Sequence, residues 1–471
     1  MTAGPAVRDD DARAAPRPRR PRRQAGGSGE RGPGCDPSHV GGGTLALMLD
    51  LPLPSADDVG LPPAIGPLLS HYLPDLIRFR RDVHRHPELS YEEYRTTERI
   101  VNALEASGLH PVRFERTGCY VDVGRGPVMV GLRADIDALP ILEDTGLDYA
   151  SINEGVMHAC GHDIHTTVML GVARVLADLH RSSPFAGTVR IVFQPAEEKL
   201  PGGALSIIRQ NVLAGVPRMF ALHCEPKLDV GQVGTRIGAI TSASDTIRIE
   251  LSGRGGHTSR PHLTEDLVYA MSQIAIDVPA VLSRRVDVRS GVAVVWGQIH
   301  AGVAPNAIPM SGFMAGTMRC LDADAWYQAG EMLDEVVGQV AAPYGVNVDL
   351  EHIRGVPPVV NGETETTLLE IAARAELGEE SILLVEQSMG GEDFAWFLQH
   401  VPGAMMRLGT REPGGRTYDL HQSDYTPQEE AIRCGVQVMA STALRAVRLR
   451  VRELSDAAAP AEPAEAEQGT P

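Results

Sequence analysis

Residues Thr188-Val-Arg-Ile-Val-Phe-Gln-Pro-Ala-Glu-Glu198 decide the fold that we expect. The first six form a short run of β-branched and aromatic side chains, which predicts a buried strand. Pro195 breaks the strand ladder, so the two glutamates fall in a loop after the strand. Similar apolar runs at 128–132 and 219–222 alternate with helical patterns. This alternation predicts an α/β domain, with a mixed, largely parallel sheet covered by helices on both faces.

A second type of structure is predicted after about residue 231. Four strand-like runs with two helical patterns among them indicate a small α+β unit inserted into the larger domain. The two ends of the chain are rich in Pro, Gly, Ala and charged residues without periodicity, so we expect disorder there. The predicted segments are a disordered leader at 1–66, a first catalytic part at 67–235, the inserted unit at 236–352, a second catalytic part at 353–454 and a disordered tail at 455–471.

The composition of the 471 residues excludes several classes of protein. A formal net charge of −18 argues against a nucleic-acid partner, which needs a basic face. No run of apolar residues is long enough for a membrane span. A basic run at 17–23 precedes Gly, Ser and Glu rather than an apolar segment, so we do not expect export. The six cysteines have no regular spacing, which favours a reducing cytoplasm over a disulfide framework.

Metal-binding side chains are concentrated in Met157-His-Ala-Cys-Gly-His-Asp-Ile-His165. One thiol, three imidazoles and one carboxylate in nine residues suit a zinc-like ion, whereas a single His or Cys is more often structural. Glu197, Glu198 and His223 follow other predicted strands, where α/β sheets form their ligand crevice. In a loop, one glutamate can bind metal while the other takes a proton from water. The alternative interpretation of the glutamate pair is a solvated strand end.

Seven stretches together resemble the amidohydrolase branch of the aminoacylase and carboxypeptidase metallopeptidase family. That branch includes hippurate hydrolases, N-acetyldiaminopimelate deacetylases and plant enzymes that hydrolyse indole-acetyl-amino acids. The matching stretches occur in the family's order between about 70 and 450, namely RRDVHRHPELS (80–90), LRADIDALP (132–140), MHACGHDIH (157–165), FQPAEE (193–198), GHTSRPH (256–262), NAIP (306–309) and GGEDF (390–394).

The resemblance implies two divalent metal ions per subunit, which in this branch are zinc, manganese, cobalt or nickel. Glu197 would be the general base and then the general acid. Asp135 and Asp137 would support the site without binding metal. His158 and His165 would either orient the ligands or be polar groups at the start of a helix. The implied ligands are Cys160 (as a bridge), His162, Glu198, His223 and His421.

The inserted unit resembles the family's lid, which implies a homodimer formed through this unit. His257, often supplied by the partner subunit, would polarise the scissile carbonyl and stabilise the oxyanion. Asn306 and Arg319 would hold the substrate's carboxylate, because a guanidinium fork fits two oxygens. For Arg319, an exposed charge on a strand is the competing interpretation. Three departures from the family's motifs, Thr258, Ala307 and Cys224, affect the shape of the pocket more than its chemistry.

We therefore expect a metal-dependent hydrolase that cleaves the amide bond of N-acyl or N-aroyl amino acids or related small amides. A water activated by two metal ions would attack, with Glu197 as the base. One alternative is a metallo-carboxypeptidase or dipeptidase with the same site. Another is a catalytically silent amino-acid-binding protein, which the presence of all five ligand positions and the base disfavours.

Overall fold

The computed structural model describes residues 65–458. The disorder predicted for 1–66 and 455–471 lies outside this range, except that residues 65–66 begin a helix and 455–458 end one. The α-helices of the described residues are α1 Ile65–Arg85, α2 Tyr94–Glu105, α3 His162–Ser182, α4 Ala204–Arg209, α5 Leu267–Arg285, α6 Ala323–Ala341, α7 Glu363–Leu377, α8 Ala395–Leu398 and α9 Glu430–Ala458. None of these helices is long and apolar enough to cross a lipid bilayer.

The strands of the same residues form one large sheet, one four-stranded sheet and two short pairs. They are β1 Val112–Arg113, β2 Cys119–Arg125, β3 Val128–Asp135, β4 Gly187–Gln194, β5 Met219–Asp229, β6 Val233–Thr235, β7 Gly238–Ala239, β8 Ala243–Ser252, β9 Gly256–His257, β10 Ala293–Ala301, β11 Ala307–Ile308, β12 Ser311–Cys320, β13 Asn347–Val356, β14 Val360–Asn361, β15 Ile382–Leu384 and β16 Gly403–Arg411.

The large sheet has the order β1-β2-β4-β3-β5-β16-β6-β15. Its four central strands are parallel neighbours, while β2 is antiparallel to β4. Side chains of β5 alternate between two apolar clusters, with Phe220 and Leu222 in one and Met219 and Ala221 in the other. Helices α1, α3 and α9 contribute to the first cluster, and α4 and α8 to the second. The predicted mixed sheet, covered on both faces, is confirmed.

The second sheet lies between residues 243 and 356 and has the antiparallel order β10-β12-β8-β13. Helices α5 and α6 cover it, and their apolar faces share a separate cluster around the buried Trp326. This arrangement is the α+β unit that the sequence predicts. Strand β13 continues to Val356, past residue 352. The domain boundaries themselves remain a prediction.

Strand β5 differs locally from the prediction, and both β5 and the start of α3 carry site residues. Strand β5 continues to Asp229, so His223 lies within the strand and not at its end. Its pairing with β16 extends past Cys224, which keeps the polar residues that follow in the sheet. Helix α3 begins at His162, inside the donor-rich stretch 157–165. Gly161, with a φ of 87°, turns the chain into the helix. The first polar residues of α3 are buried against the site.

Candidate metal centre

The five predicted ligands converge beyond the central strands of the large sheet. Cys160 Sγ lies 3.5 Å from His223 Nε2. Glu198 Oε1 lies 3.8 Å from His162 Nε2 and 3.4 Å from His421 Nε2. Cys160, His162 and His223 form one group of donor atoms within 4.8 Å of one another, and Cys160, Glu198 and His421 form a second. The Cys160 thiol therefore belongs to both groups.

Hydrogen bonds leave the Nε2 atoms of His162 and His223 free to bind a cation. Nδ1 of His162 donates to the Asp137 carbonyl at 3.0 Å, and Nδ1 of His223 donates to the Cys224 carbonyl at 2.8 Å. A histidine that donates from Nδ1 presents a lone pair at Nε2, which is the usual arrangement of a metal ligand. Within residues 65–458, neither His162 Nε2 nor Glu198 Oε1 has a hydrogen-bond partner, although both are buried. A divalent cation fits these orphaned atoms.

The charges around the donors favour a cation. Burial opposes protonation of His162, but the charges of Asp135 and Asp137 and the Asp137 hydrogen bond raise its pKa to about 10. Burial and the nearby Glu198 and Glu197 carboxylates raise the pKa of the Cys160 thiol well above its usual value. In the metal-free chain both groups therefore hold protons, which a bound ion would displace.

Asp137 and Glu93 support the loop that carries the two glutamates. The carboxylate of Asp137 accepts the backbone N–H of Glu197 at 3.1 Å and that of Glu198 at 3.0 Å. The carboxylate of Glu93 accepts the N–H of Ala196 at 2.8 Å. Ala196 has a φ of 56°, a left-handed backbone conformation that residues other than glycine adopt rarely. Buried carboxylates thus position three consecutive residues of this loop.

The structure distinguishes the other histidines of the 157–165 stretch. His165 Nδ1 contacts the Asp135 carboxylate at 2.6 Å, and its Nε2 accepts the backbone N–H of Cys224 at 2.8 Å. Both nitrogens of His165 are therefore engaged within the protein, an arrangement that suits a residue orienting its neighbours. His158 is buried, its nitrogens have no partner among the described residues, and burial lowers its pKa to about 4. Nothing in the structure explains its presence.

Glu197 has the surroundings of a proton acceptor. It is partly buried, and donor atoms of Glu197, Glu392 and Asp393 lie within 4.8 Å of one another. Burial and then the charges of Glu392 and Glu198 raise its pKa well above the usual carboxyl value. The buried Arg133 binds Glu392 at 3.0 Å and Asp393 at 2.7 Å, which limits this repulsion. A carboxyl of raised pKa can accept a proton and release it again near neutral pH.

A cavity of about 430 Å³ opens over the donors, and Cys160, Glu197, Glu198, His223 and His421 contribute to its lining. Arg319 also lines the cavity, and its Nη1 donates to the Met389 carbonyl at 2.6 Å. Arg319 therefore lies at the wall of the cavity, and its role in substrate binding stays a prediction. Arg407, which no sequence motif indicated, lines the same cavity.

His257 and Asn306 are not brought to this cavity. They are exposed, at the short β9–β11 pair, where the Asn306 carbonyl accepts the N–H of Thr258 at 3.2 Å. His257 Nδ1 accepts the backbone N–H of Ser259 at 3.1 Å, so its proton is on Nε2. His257 therefore presents a donor, which is the tautomer that the predicted role needs.

The sequence motifs did not indicate two functional candidates, Glu93 and Arg407. Arg407 interrupts the otherwise apolar first half of β16, and a charged residue within a buried strand is a usable signal. Glu93 ends the stretch Ser90-Tyr-Glu-Glu93. No sequence signal distinguishes this buried glutamate from its exposed neighbour Glu92. Its role depends on a contact with Ala196, 103 residues away.

Comparisons with known proteins identify one family to which the chain is similar. Residues 131–445 match the model of the peptidase family M20/M25/M40. The chain is 36% identical over 363 residues to N-acetyl-L-cysteine deacetylase of Bacillus subtilis, a match that covers 76% of this chain and 84% of the relative. It is 34% identical to a Bacillus subtilis protein whose crystal structure is described as that of a dinuclear metal binding peptidase from the M20 family. That superposition has a TM-score of 0.68 and covers 80% of this chain and 98% of the other.

A further relative carries a different name. The chain is 44% identical over 366 residues to a Rhodococcus jostii protein named "Putative glutamate--cysteine ligase 2-3". The match covers 77% of this chain but 46% of that protein, so this chain spans about half of its length.

Proposed function

The chain belongs to the peptidase family M20/M25/M40, and from this premise we propose that it hydrolyses the amide bond of N-acyl amino acids with two divalent metal ions. The observation that carries the proposal is the pair of donor groups that share the Cys160 thiol, with Glu197 beside them. The name of the deacetylase relative supports an N-acyl amino acid as the substrate class.

Five side chains would hold the ions. His162 and His223 would bind one ion, and Glu198 and His421 the other, with the thiolate of Cys160 between them. A set of thiolate, imidazole and carboxylate ligands is compatible with zinc, manganese, cobalt or nickel. When bound, such ions polarise a carbonyl oxygen and lower the pKa of water to about 7.

Glu197 would move the proton. Asp137 fixes its backbone N–H at 3.1 Å, which holds the carboxylate over the donor cluster. The raised pKa of Glu197 lets it take a proton from the attacking water. The same group then returns the proton to the nitrogen of the leaving amino acid, which completes the hydrolysis without a covalent intermediate.

The inserted unit would complete the site. His257 presents an Nε2 donor suited to the oxyanion, and Arg319 a guanidinium suited to the α-carboxylate, while Asn306 beside His257 would assist. We propose that His257 and Asn306 arrive from a partner subunit, since they do not line the cavity of their own chain. The edge strand β10, where Val295 is 61% and Ile299 51% exposed, supports a homodimer at this unit.

The two alternatives are weaker. A carboxypeptidase or dipeptidase would use the same metal site, and one relative is named a thermostable carboxypeptidase, but the deacetylase names of three others favour an acyl group. A catalytically silent binding protein would need neither the base nor the ligands, and here all six side chains converge. A cytoplasmic location remains a prediction.

The experiment that tests the proposal compares wild type with Glu197→Gln after loading with each metal. We expect wild type to hydrolyse N-acetyl or N-benzoyl amino acids faster than dipeptides. Glu197→Gln should lower kcat by at least about 100-fold and still bind the metal. The exposed Glu412→Gln serves as the control and should behave as wild type. The proposal fails if Glu197→Gln is as fast as wild type, or if only dipeptides are cleaved.

A further inference from the structure

Arg407 is a buried cation without an acceptor in the described part of the chain. It is 6% exposed, and no hydrogen bond or ion pair within 4.0 Å joins its guanidinium to any of residues 65–458. Four of the five other buried arginines of these residues have carboxylate partners: Arg80 with Asp163, Arg133 with Asp135, Arg190 with Asp122 and Arg218 with Glu453. The fifth, Arg445, donates to the Ser441 hydroxyl. An unpaired buried charge is strongly unfavourable, so an anion from outside the protein is expected to pair with it.

The side chain points toward the metal centre. Arg407 of β16 is the register partner of His223 on the parallel strand β5, so the two side chains share one face of the sheet. On the other side, its register partner is Gly234 of β6. A Cβ at Gly234 would lie 3.1 Å from the Arg407 Cβ, so the glycine leaves room for the arginine. The guanidinium thus lines the cavity beside Cys160, Glu197 and His223.

The acidic groups near Arg407 are engaged elsewhere. Glu392 Oε1 binds Arg133 at 3.0 Å and accepts the backbone N–H of Phe394 at 2.9 Å. Glu225 is partly exposed and accepts the N–H of Lys227 at 3.2 Å. Cys160 and Glu197 are the proposed bridge and base. The charges of Glu225 and Glu392 act on Arg407, but no carboxylate of the described residues forms an ion pair with it.

The cavity therefore presents two separate guanidinium groups on different walls. Arg319 extends from β12 of the inserted unit, and Arg407 from β16 of the large sheet. An N-acyl amino acid with a neutral side chain and a neutral acyl group has a single carboxylate, which can pair with only one of the two guanidinium groups. Two cations suit a substrate with two carboxylates, because each guanidinium fork binds one carboxylate through paired hydrogen bonds.

We propose that Arg407 binds a second carboxylate of the substrate and makes the enzyme selective for dicarboxylic N-acyl amino acids. The second carboxylate would belong either to an acidic amino-acid side chain or to a dicarboxylic acyl group. This inference rests on the proposed function, and it adds to that function the chemical class of the substrate.

The test compares matched pairs of substrates that differ by one charge. N-acetyl-glutamate is compared with N-acetyl-glutamine, and N-succinyl-alanine with the amide of its succinyl group. Wild type should prefer one of the two dicarboxylates over its amide by at least about tenfold in kcat/KM. Which pair shows the preference identifies the source of the carboxylate. In Arg407→Gln this ratio should fall to about one.

Two controls separate recognition from structure. Arg411 lies on the same strand, and its guanidinium pairs with Asp229 at 2.5 Å. Arg411→Gln should therefore keep the wild-type ratio of kcat/KM between each dicarboxylate and its amide. Metal content should be equal in all three proteins, since a change would indicate an effect through His223. The inference is overturned if wild type shows no preference in either pair, or if the preference survives in Arg407→Gln.

Binding distinguishes a failure of this inference from a failure of the proposed function. If the metal-loaded protein hydrolyses none of the four compounds, the proposed function fails. Calorimetric titration with the same compounds then decides the role of Arg407. Tighter binding of one dicarboxylate that is lost in Arg407→Gln supports the inference, and equal binding of acids and amides overturns it.

Discussion

The Glu93 carboxylate accepts the backbone N–H of Ala196 at 2.8 Å, one residue before the proposed base. Ala196 holds a left-handed φ of 56°, which is unfavourable for alanine. Asp137 accepts the next two N–H groups along the chain. Strained backbone of this kind persists where the surrounding structure over-determines it. Glu93 and Asp137 therefore set where the side chains of Glu197 and Glu198 point.

Replacing Glu93 should impair catalysis without removing the metal ligands. We expect Glu93→Ala to lower kcat on an N-acetyl amino acid about 100-fold, because small displacements of a catalytic group have effects of this size. Glu93→Gln should retain most activity, since its amide oxygen can still accept from Ala196. The exposed neighbour gives the control, Glu92→Ala, which should match wild type. Wild-type kcat in Glu93→Ala would refute the positioning role.

Glu93 also predicts a pH dependence of stability in the metal-free chain. Burial and the charge of Asp137 raise its pKa from 4.5 to about 7. Between these values the folded chain holds a proton that the unfolded chain has lost, so stability falls as pH rises from 4.5 to 7. The loss amounts to about 3 kcal/mol. Urea unfolding of protein freed of metal by a chelator should show this decrease in the free energy of unfolding. In Glu93→Gln the decrease should be smaller by about that amount.

Metal stoichiometry tests the two donor groups separately. His162 belongs to the group with Cys160 and His223, and also to one with Glu197 and Glu198, but it is absent from the group of Cys160, Glu198 and His421. His162→Ala should therefore lose one of two metal equivalents, measured by elemental analysis. The exposed His71→Ala should keep both. Chelation should lower the Tm of wild type more than that of His162→Ala, because a ligand at 100 times its Kd stabilises by about 2.7 kcal/mol.

Retention of both equivalents in His162→Ala would show that this histidine is not a ligand. The same outcome in Cys160→Ser would contradict a bridging thiolate.

Local patterns predicted much of the fold and most of the site. The apolar run of β4, ending at Pro195, placed the two glutamates in a loop, and the donors in the 157–165 stretch indicated a metal centre. What could not be predicted depends on contacts distant in sequence. Arg407 lies beside His223 because β16 pairs with β5. Arg407 has no carboxylate partner because of the residues that distant parts of the chain pack around it. His223 lies within β5 because β16 extends the ladder past it.

The buried ion pair of Arg80 and Asp163 should be important for stability. Arg80 Nε contacts Asp163 Oδ2 at 2.6 Å, and both side chains are inaccessible to solvent. Arg80→Met would leave Asp163 with His84 alone, and we expect a loss of about 3–5 kcal/mol in the free energy of unfolding. The neighbouring Arg81 is exposed and pairs with Glu429, so Arg81→Met should cost less than about 1 kcal/mol. Equal losses in the two variants, measured by denaturant unfolding, would contradict this account.

Gly161 combines a left-handed backbone with a close contact, and two variants can separate these effects. Its φ is 87°, and a Cβ there would lie 2.8 Å from the Cys224 Sγ. Gly155 has a φ of 77° with nothing within 4 Å of such a Cβ. Gly155→Ala should therefore cost about 1–2 kcal/mol from the backbone alone.

Gly161→Ala should cost more than Gly155→Ala, because either β5 or the start of α3 must move to relieve the contact with Cys224. That movement separates His223 from His162, so metal affinity should fall together with stability. Removing the thiol in Gly161→Ala/Cys224→Ala should recover part of both losses, since the Sγ is the nearer of the two contacting atoms. Denaturant unfolding and metal titration of the single and double variants measure this coupling. Additive losses would place the cost of Gly161→Ala in the backbone conformation and not in the contact with Cys224.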